Sequence, residues 1–276
     1  MSSAAASKYS PSSSLLSVPA VEDLTEYTDT PEELAAKVSL LADLVRSAAH
    51  AVAFTGAGIS HSSGIPTYRG PDGVWTRRDQ GLPAPQGVRL EDARPTQGHM
   101  AILELLNQGH LKHLVSTNVD GLHRRSGVTK DQMSELHGNI YMEACTVCDK
   151  EYHRRQRVRG RAHLTGNQCD ACKGPLKDNI INFNENLPEG ELTKSFEHSA
   201  RMDLALVMGT SMKVTPACEL PLEVLGKEGG HLVIVNLQRT GYDEHAFLRI
   251  FGESDRVLTM LLDELRLTIP EFDEEA

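Results

Sequence analysis

Two cysteine pairs, Cys145-x-x-Cys148 and Cys169-x-x-Cys172, stand with twenty residues between them, and they narrow the folds open to this chain more than any other feature. Four thiolates make a closed tetrahedral shell for Zn2+, each Cys-x-x-Cys turn supplies two adjacent corners, and the spacing lies in the range of four-cysteine sites. Two disulfides would use the same residues but need an oxidising compartment, and nothing in the chain suggests secretion. The expected metal ligands are therefore Cys145, Cys148, Cys169 and Cys172. A catalytic zinc keeps one position for water, whereas four cysteines fill the shell. This metal folds a small module, and the chemistry lies elsewhere.

Around those cysteines the chain reads as α/β. Thr30-Pro31-Glu32-Glu33 gives an N-cap, a first-turn proline and a capping-box acid. Leu34, Val38, Leu41 and Val45 then recur at helical spacing, which predicts a helix to about Ala49. Ala51-Val52-Ala53-Phe54 reads as a buried strand ending in Gly56-Ala57-Gly58. The apolar runs at Leu114-Val115, 204–208 and 232–235 read as further strands. They alternate with helical stretches at Thr96–Asn107, Pro216–Lys227 and Asp255–Leu265, and such alternation implies a parallel sheet. The expected fold is a Rossmann-like α/β parallel-sheet domain with an inserted zinc-binding module. The large domain is discontinuous (30–138 and 179–270), the module covers 139–178, and a disordered tail (1–29) and an acidic tail (271–276) flank them.

Three strand ends, Gly56-Ala57-Gly58, Gly209-Thr210-Ser211 and Asn236-Leu237-Gln238, should meet at one sheet edge, where open α/β sheets bind nucleotides. An ordinary dehydrogenase fits poorly. The third glycine of its fingerprint would fall at His61, and no strand-terminal acid follows about twenty residues on.

A net charge of −10 and a pI near 5.6 argue against bulk attraction to nucleic acid or anionic lipid. No apolar run approaches membrane-helix length, no export or organellar signal stands out, and a reducing nucleocytoplasmic setting is expected. The charge is uneven, with Arg154, Arg155, Arg157, Arg159 and Arg161 crowding the loop between the cysteine pairs. Such a loop either keeps the module solvated or docks an acidic partner surface.

The run from Gly56 to Thr76 (GAGISHSSGIPTYRGPDGVWT), with Asn118-Val119-Asp120-Gly121, His137-Gly138, the four cysteines and Gly209-Thr210-Ser211, closely resembles the sirtuins in content and order. The Gly-Pro-Asp-Gly-Val-Trp run at 70–75, Arg94-Pro95-Thr96 and Val235-Asn236-Leu237-Gln238 look most like class IV, the branch of the nuclear sirtuins. The resemblance covers about Pro31 to Pro270. It implies an NAD-dependent protein lysine deacylase, acting on acetyl and also on longer acyl groups, that yields nicotinamide and O-acyl-ADP-ribose.

On that resemblance His137 is the general base, a task suited to imidazole because its ordinary pKa lies near neutrality. Asn118 and Asp120 line the nicotinamide pocket. Gly56, Ala57 and Gly58 let the backbone approach the cofactor, Ser60 and Arg69 bind ribose and phosphate oxygens, and Tyr68 covers the nicotinamide side. Gly209, Thr210, Ser211, Asn236 and Gln238 receive the adenosine half, and Trp75 packs on the cofactor loop. Two positions depart from the family pattern: Thr117 stands where most sirtuins have glutamine, and Thr67 where they have aspartate. Two alternatives stay open, a mono-ADP-ribosyltransferase and a catalytically weak adaptor using its zinc loop. The implied partners are an acyl-lysine protein such as a histone and a nucleosome met by the arginine loop, with a nuclear location and no membrane.

Overall fold

The structure is a computed structural model that describes residues 23–274. In chain order it contains α1 (Pro31–Ser47), β1 (Ala51–Thr55), α2 (Val74–Asp79), α3 (Gln97–Asn107), β2 (His113–Ser116), α4 (Leu122–Arg125) and β3 (Met133–Glu135). There follow β4 (Met142–Cys145), β5 (Glu151–His153), β6 (Leu164–Gln168), β7 (Pro175–Asp178), α5 (Glu189–Arg201), β8 (Leu204–Met208), β9 (His231–Val235), β10 (Leu248–Ile250) and α6 (Ser254–Leu265).

Six strands form one parallel sheet in the order β10-β9-β8-β1-β2-β3. The chain therefore winds outward from β1 in one direction, returns, and winds outward from β8 in the other. That is the Rossmann order, and its switch point lies between β1 and β8. Burial follows the period of two that a strand imposes. Ala51 and Ala53 of β1, Leu204, Leu206 and Met208 of β8, and Val233 and Val235 of β9 join the core beneath α1, α3 and α6. Their neighbours Val52, Phe54, Ala205, Val207, Leu232 and Ile234 join the opposite core, with Met202, Leu220 and Val224. With both faces covered, the strands read as unbroken apolar runs.

The cap expected at Thr30 is present. Its hydroxyl accepts from Glu33 N and the Glu33 carboxylate accepts from Thr30 N. Thr96 caps α3 in the same way, with the His99 ring in the place of the usual Glu or Gln.

The stretch Pro216–Lys227 departs from its expected α-helix: turns precede a 3-10 helix over Leu220–Gly226. Pro221, five residues into the stretch, removes a backbone donor there, which breaks the ladder an α-helix needs. The expected tail at 1–29 lies outside the described residues as far as 22. Residues 27–29 are tied to the large domain, because Tyr27 N donates to Leu237 O and Asp29 N to Phe251 O. Lys37 also pairs with Asp29. Of the expected acidic tail, 275 and 276 lie outside the described residues. No described helix is long and apolar enough to cross a membrane.

The second sheet is antiparallel, in the order β5-β4-β7-β6, and spans Met142 to Asp178. Its apolar core holds Cys145, Cys169 and Leu176, with Tyr152 packed against them.

Candidate active site and metal centre

A cavity of about 650 Å³ opens at the C-terminal ends of the parallel strands, lined by residues that follow β1, β2, β8 and β9. It lies where the switch point predicts. Gly58 N donates to Gly209 O at 2.8 Å. A Cβ on Gly58 would stand 2.7 Å from Gly209 Cα, and Gly209 itself is left-handed at φ 60. The two loops interlock backbone to backbone, which no side chain would permit.

The structure brings Gly56, Ala57, Gly58, Thr67, Tyr68, Arg69, Trp75, Thr117, Asn118, His137, Gly209, Thr210, Ser211, Asn236 and Gln238 to that cavity. Asn118 is held by its own amide, which donates to Gly56 O at 3.0 Å. Asn236 donates to Gln238 O at 3.0 Å, and Gln238 donates to Glu26 Oε1 at 2.7 Å. Tyr68 and Trp75 pack with ring centres 4.9 Å apart, and the Arg69 guanidinium sits 4.9 Å over the indole. This arrangement combines aromatic cover with a cation.

Ser60 and Asp120, expected to face the ligand, stand one layer behind the wall and do not line the cavity. Ser60 Oγ donates to Asp120 Oδ2 at 2.7 Å, and Leu122 N donates to Asp120 Oδ1 at 2.9 Å. Asp120 is buried, and burial raises its pKa against those two donors and Arg125. In this arrangement the pair acts on the pocket through Asn118, whose Nδ2 lies 3.4 Å from Ser60 Oγ.

His137 lies on the cavity wall with Nδ1 3.2 Å from Thr117 O. A carbonyl only accepts, so Nδ1 carries the proton and Nε2 keeps a lone pair. Burial pushes the imidazole below its ordinary value, against the Thr117 carbonyl. The ring is thus neutral near pH 7, as a base must be. The Thr117 hydroxyl donates to Thr55 O at 3.2 Å, and the Thr67 hydroxyl donates to Arg69 O at 2.8 Å. Both threonines that depart from the family pattern therefore brace backbone.

Sequence reasoning missed the wall formed by Ile180 to Glu185 and Leu187, and also Lys213 and Thr215. An available signal was the apolar Ile180-Ile181 and Phe183 within an otherwise polar run after the second cysteine pair.

At the module, the Sγ atoms of Cys145, Cys148, Cys169 and Cys172 all lie within 4.8 Å of one another. Three separations are 3.3 Å (Cys145–Cys172), 3.6 Å (Cys148–Cys169) and 3.5 Å (Cys148–Cys172). A disulfide needs about 2.05 Å, whereas a tetrahedron with Zn–S of about 2.3 Å puts sulfurs about 3.8 Å apart. The donor set fits zinc. Tyr152 OH donates to Cys169 Sγ at 3.2 Å and Val147 N to Cys145 Sγ at 3.4 Å, and both donors favour thiolate. Cys218, the fifth cysteine, is buried in the large domain.

The Sir2 family profile matches residues 84–216. The chain is 41% identical over 264 residues to the NAD-dependent protein deacetylase Sirt6 of Drosophila melanogaster, covering 90% of this chain and 81% of that protein. It is 41% identical over 253 residues to the NAD-dependent protein deacetylase SRT1 of Arabidopsis thaliana, covering 90% of this chain and 53% of the relative. It thus spans about half the length of SRT1. Among solved structures, Sir2 with a p53 peptide and NAD+ matches at TM-score 0.66 and 31% identity, over 83% of this chain and 98% of that one. With the sheet order, the cavity and the four thiols, these similarities place the chain in the Sir2 family, the sirtuins.

Proposed function

We propose that this chain is an NAD-dependent protein lysine deacylase. The carrying observation is that a neutral imidazole with an Nε2 lone pair, His137, and a fixed amide, Asn118, face one cavity. That cavity sits at the nucleotide-binding edge of a Rossmann sheet. NAD supplies an activated ribose carbon to which the acyl oxygen of acyl-lysine bonds as nicotinamide leaves.

Each remaining step belongs to the chain's own side chains. His137 Nε2 accepts a proton from a ribose hydroxyl, and the Thr117 carbonyl steadies the imidazolium that results. Asn118 presents its side-chain carbonyl to the nicotinamide side while Gly56 O holds its NH2 group. Asp120 and Ser60 fix Asn118 from behind. Gly58, Thr210, Ser211, Asn236 and Gln238 receive the adenosine half, and Tyr68, Arg69 and Trp75 cover the site. The apolar wall residues Ile180, Ile181, Phe183 and Leu187 suit an acyl chain and support activity on long as well as short acyl groups.

A histone substrate, a nucleosome contact and a nuclear setting belong to the same reading. Arg155, Arg157, Arg159 and Arg161 are exposed and support it, whereas Arg154 bonds the buried Glu143 and lies over Tyr152. Charge reversal at Arg155 and Arg157 should weaken nucleosome capture at moderate salt, and unchanged capture rejects the contact.

The deciding experiment incubates pure protein with NAD and acetyl- or myristoyl-lysine peptides and detects O-acyl-ADP-ribose by mass spectrometry. Turnover should fall at least about 100-fold in His137→Ala. It should also decline in the wild type as pH drops through the lowered imidazole value, where the base becomes charged. Undiminished turnover in His137→Ala removes the assigned base. ADP-ribose appearing on protein, without deacylation, points to the transferase instead.

A further inference from the structure

His163 sits in the zinc module, outside the roles described for the cavity and the metal, on a backbone that suits it badly. Arg161 N donates to Leu164 O at 2.9 Å and Leu164 N to Arg161 O at 3.1 Å, closing a two-residue turn. Both central residues are left-handed, Ala162 at φ 48 and His163 at φ 66. Turns of this hand favour Asn and Gly, because a Cβ is crowded there. The strain is held by contacts. His163 O accepts from Asp178 N at 2.8 Å, and a Cβ on Gly160 would collide with the Asp178 carboxylate and stand 2.6 Å from His163 O. Strain held in place by surrounding contacts is a pointer to what the side chain does.

The ring has a carboxylate at each end. Nδ1 lies 2.7 Å from Asp178 Oδ1, at the end of β7, and Nε2 lies 2.9 Å from Glu185 Oε1, in the cavity wall. Only a doubly protonated imidazole donates from both nitrogens. Asp178 and Glu185 are the charged groups facing it. They hold its pKa above the ordinary 6.5, and the Asn182 amide together with His163 holds Glu185 down to about 2. When the ring loses its proton, one nitrogen turns a lone pair toward a carboxylate. The Asn182 Nδ2, 3.1 Å from His163 Nε2, is then the donor within reach.

The wall on the far side of this tie is built into the site. Ile181 N donates to His137 O at 3.1 Å, Phe183 packs 5.5 Å from Trp75, and residues 180–185 line the cavity. We propose that the His163 imidazolium is a positioning residue for the acyl-lysine peptide, tying the wall segment 180–187 to the zinc module and so setting where the peptide lies beside His137. The proposal rests on the deacylase reading, but the tie itself is testable without turnover.

The sign follows from the raised value. The tie is complete below 6.5 and is lost as pH rises through the higher folded-state value. Peptide KM should therefore climb with pH above 6.5, whereas the loss of the base at His137 falls below 6.5, where its lowered value lies. The two effects separate as KM and kcat.

The test measures kcat and both KM values from about pH 6 to about pH 9 for wild type, His163→Gln and His163→Lys. His163→Gln should raise peptide KM roughly 3- to 10-fold at the acid end, leave NAD KM within about twofold, and flatten the pH dependence. His163→Lys, a fixed cation, should keep peptide KM low across the range. Equal peptide KM in wild type and His163→Gln at every pH overturns the proposal, as does an equal rise in both KM values.

Trp75 is the only tryptophan, and its fluorescence reports the cluster that Phe183 forms on it with Tyr68 and Arg69. It should titrate above 6.5 in the wild type and stay flat in His163→Gln. No titration in the wild type sinks the tie even in an active enzyme, whereas titration without deacylation sinks the deacylase reading and leaves the tie standing. Should His163→Gln lose zinc by emission spectrometry, Glu185→Gln, which lies outside the four-stranded sheet, carries the same measurements and the same expected shifts.

Discussion

The parallel sheet buries aliphatic side chains on both faces, under α1, α3 and α6 on one side and against α5 and the 220–226 turns on the other, whereas the four-stranded sheet encloses Leu176 beside two cysteines. One region is held by apolar area, at about 25 cal/mol per Å². The other has too little to bury and depends on its metal, with a buried carboxylate as the second tie. Glu143 is fully buried and accepts from Arg154 Nε at 2.6 Å, Thr165 Oγ1 at 2.6 Å and Asn167 Nδ2 at 3.1 Å. The cavity sits on the first region and borrows one wall, 180–187, from the chain that leaves the second. On the proposed reading the large domain supplies the chemistry, and the module supplies placement.

Metal removal should show the largest difference. In small zinc modules the apparent binding free energy, about 10–16 kcal/mol, is folding free energy. A strong chelator should free the amides between Met142 and Asp178 to exchange with solvent while those of β1 and β8 stay protected. Loss of both sets in one transition would erase the contrast and make the metal a support of the whole chain.

The converse cut is Leu206→Ala, in the middle of β8 and fully buried. The lost transfer energy and the cavity left behind should cost about 2–5 kcal/mol. Global unfolding in denaturant should come earlier while zinc remains bound. Zinc lost in step with stability would mean that the module leans on the sheet.

A smaller cut falls on the buried carboxylate. Burial alone would raise the pKa of Glu143, but Thr165, Asn167 and Arg154 together hold it below the ordinary value. Glu143→Gln removes the charge that these donors face, at a cost of about 1–3 kcal/mol. A zinc-competition titration should show weaker retention with little change in global unfolding. Unchanged retention would leave the thiols as the whole of the module's support.

The same contrast decides how much was legible in the sequence. Thr30-Pro31 with Glu33, the run at Ala51–Phe54 and the strand ends at Gly56, Gly209 and Asn236 are local signals, and each landed where its pattern puts it. β3 and β10 have three residues apiece, too few for a period of two to declare itself. The stretch Pro216–Lys227 reads as helix by apolar spacing, and Pro221 overruled the pattern. In the site, motifs pointed to His137, Asn118 and the strand-end residues, all of which reach the cavity. They did not give the depth of Asp120 and Ser60, because whether a polar group faces a cavity or a partner depends on what packs over it. The wall at 180–187 and the His163 tie were silent, since both arise where the two regions meet.

The smallest expected effect is at Thr117, where the family pattern suggests the largest. Thr117 acts through its backbone: its carbonyl accepts from His137 Nδ1, and its amide donates to Thr55 O at 3.1 Å. Its hydroxyl adds a second bond to that same Thr55 oxygen. In Thr117→Gln the carbonyl of Thr55 keeps its amide donor, so the loss should stay within about 0.5–1.5 kcal/mol, the net value of one neutral hydrogen bond. The longer side chain has the cavity to enter, where its amide can meet a ribose hydroxyl. NAD KM should then fall by less than about threefold while the pH profile of kcat, set by the His137 imidazole, stays in place. A shifted profile would show that the side chain at 117, and not its carbonyl, tunes the base, and the site would then depend on side-chain identity at its rim as the module does at its cysteines.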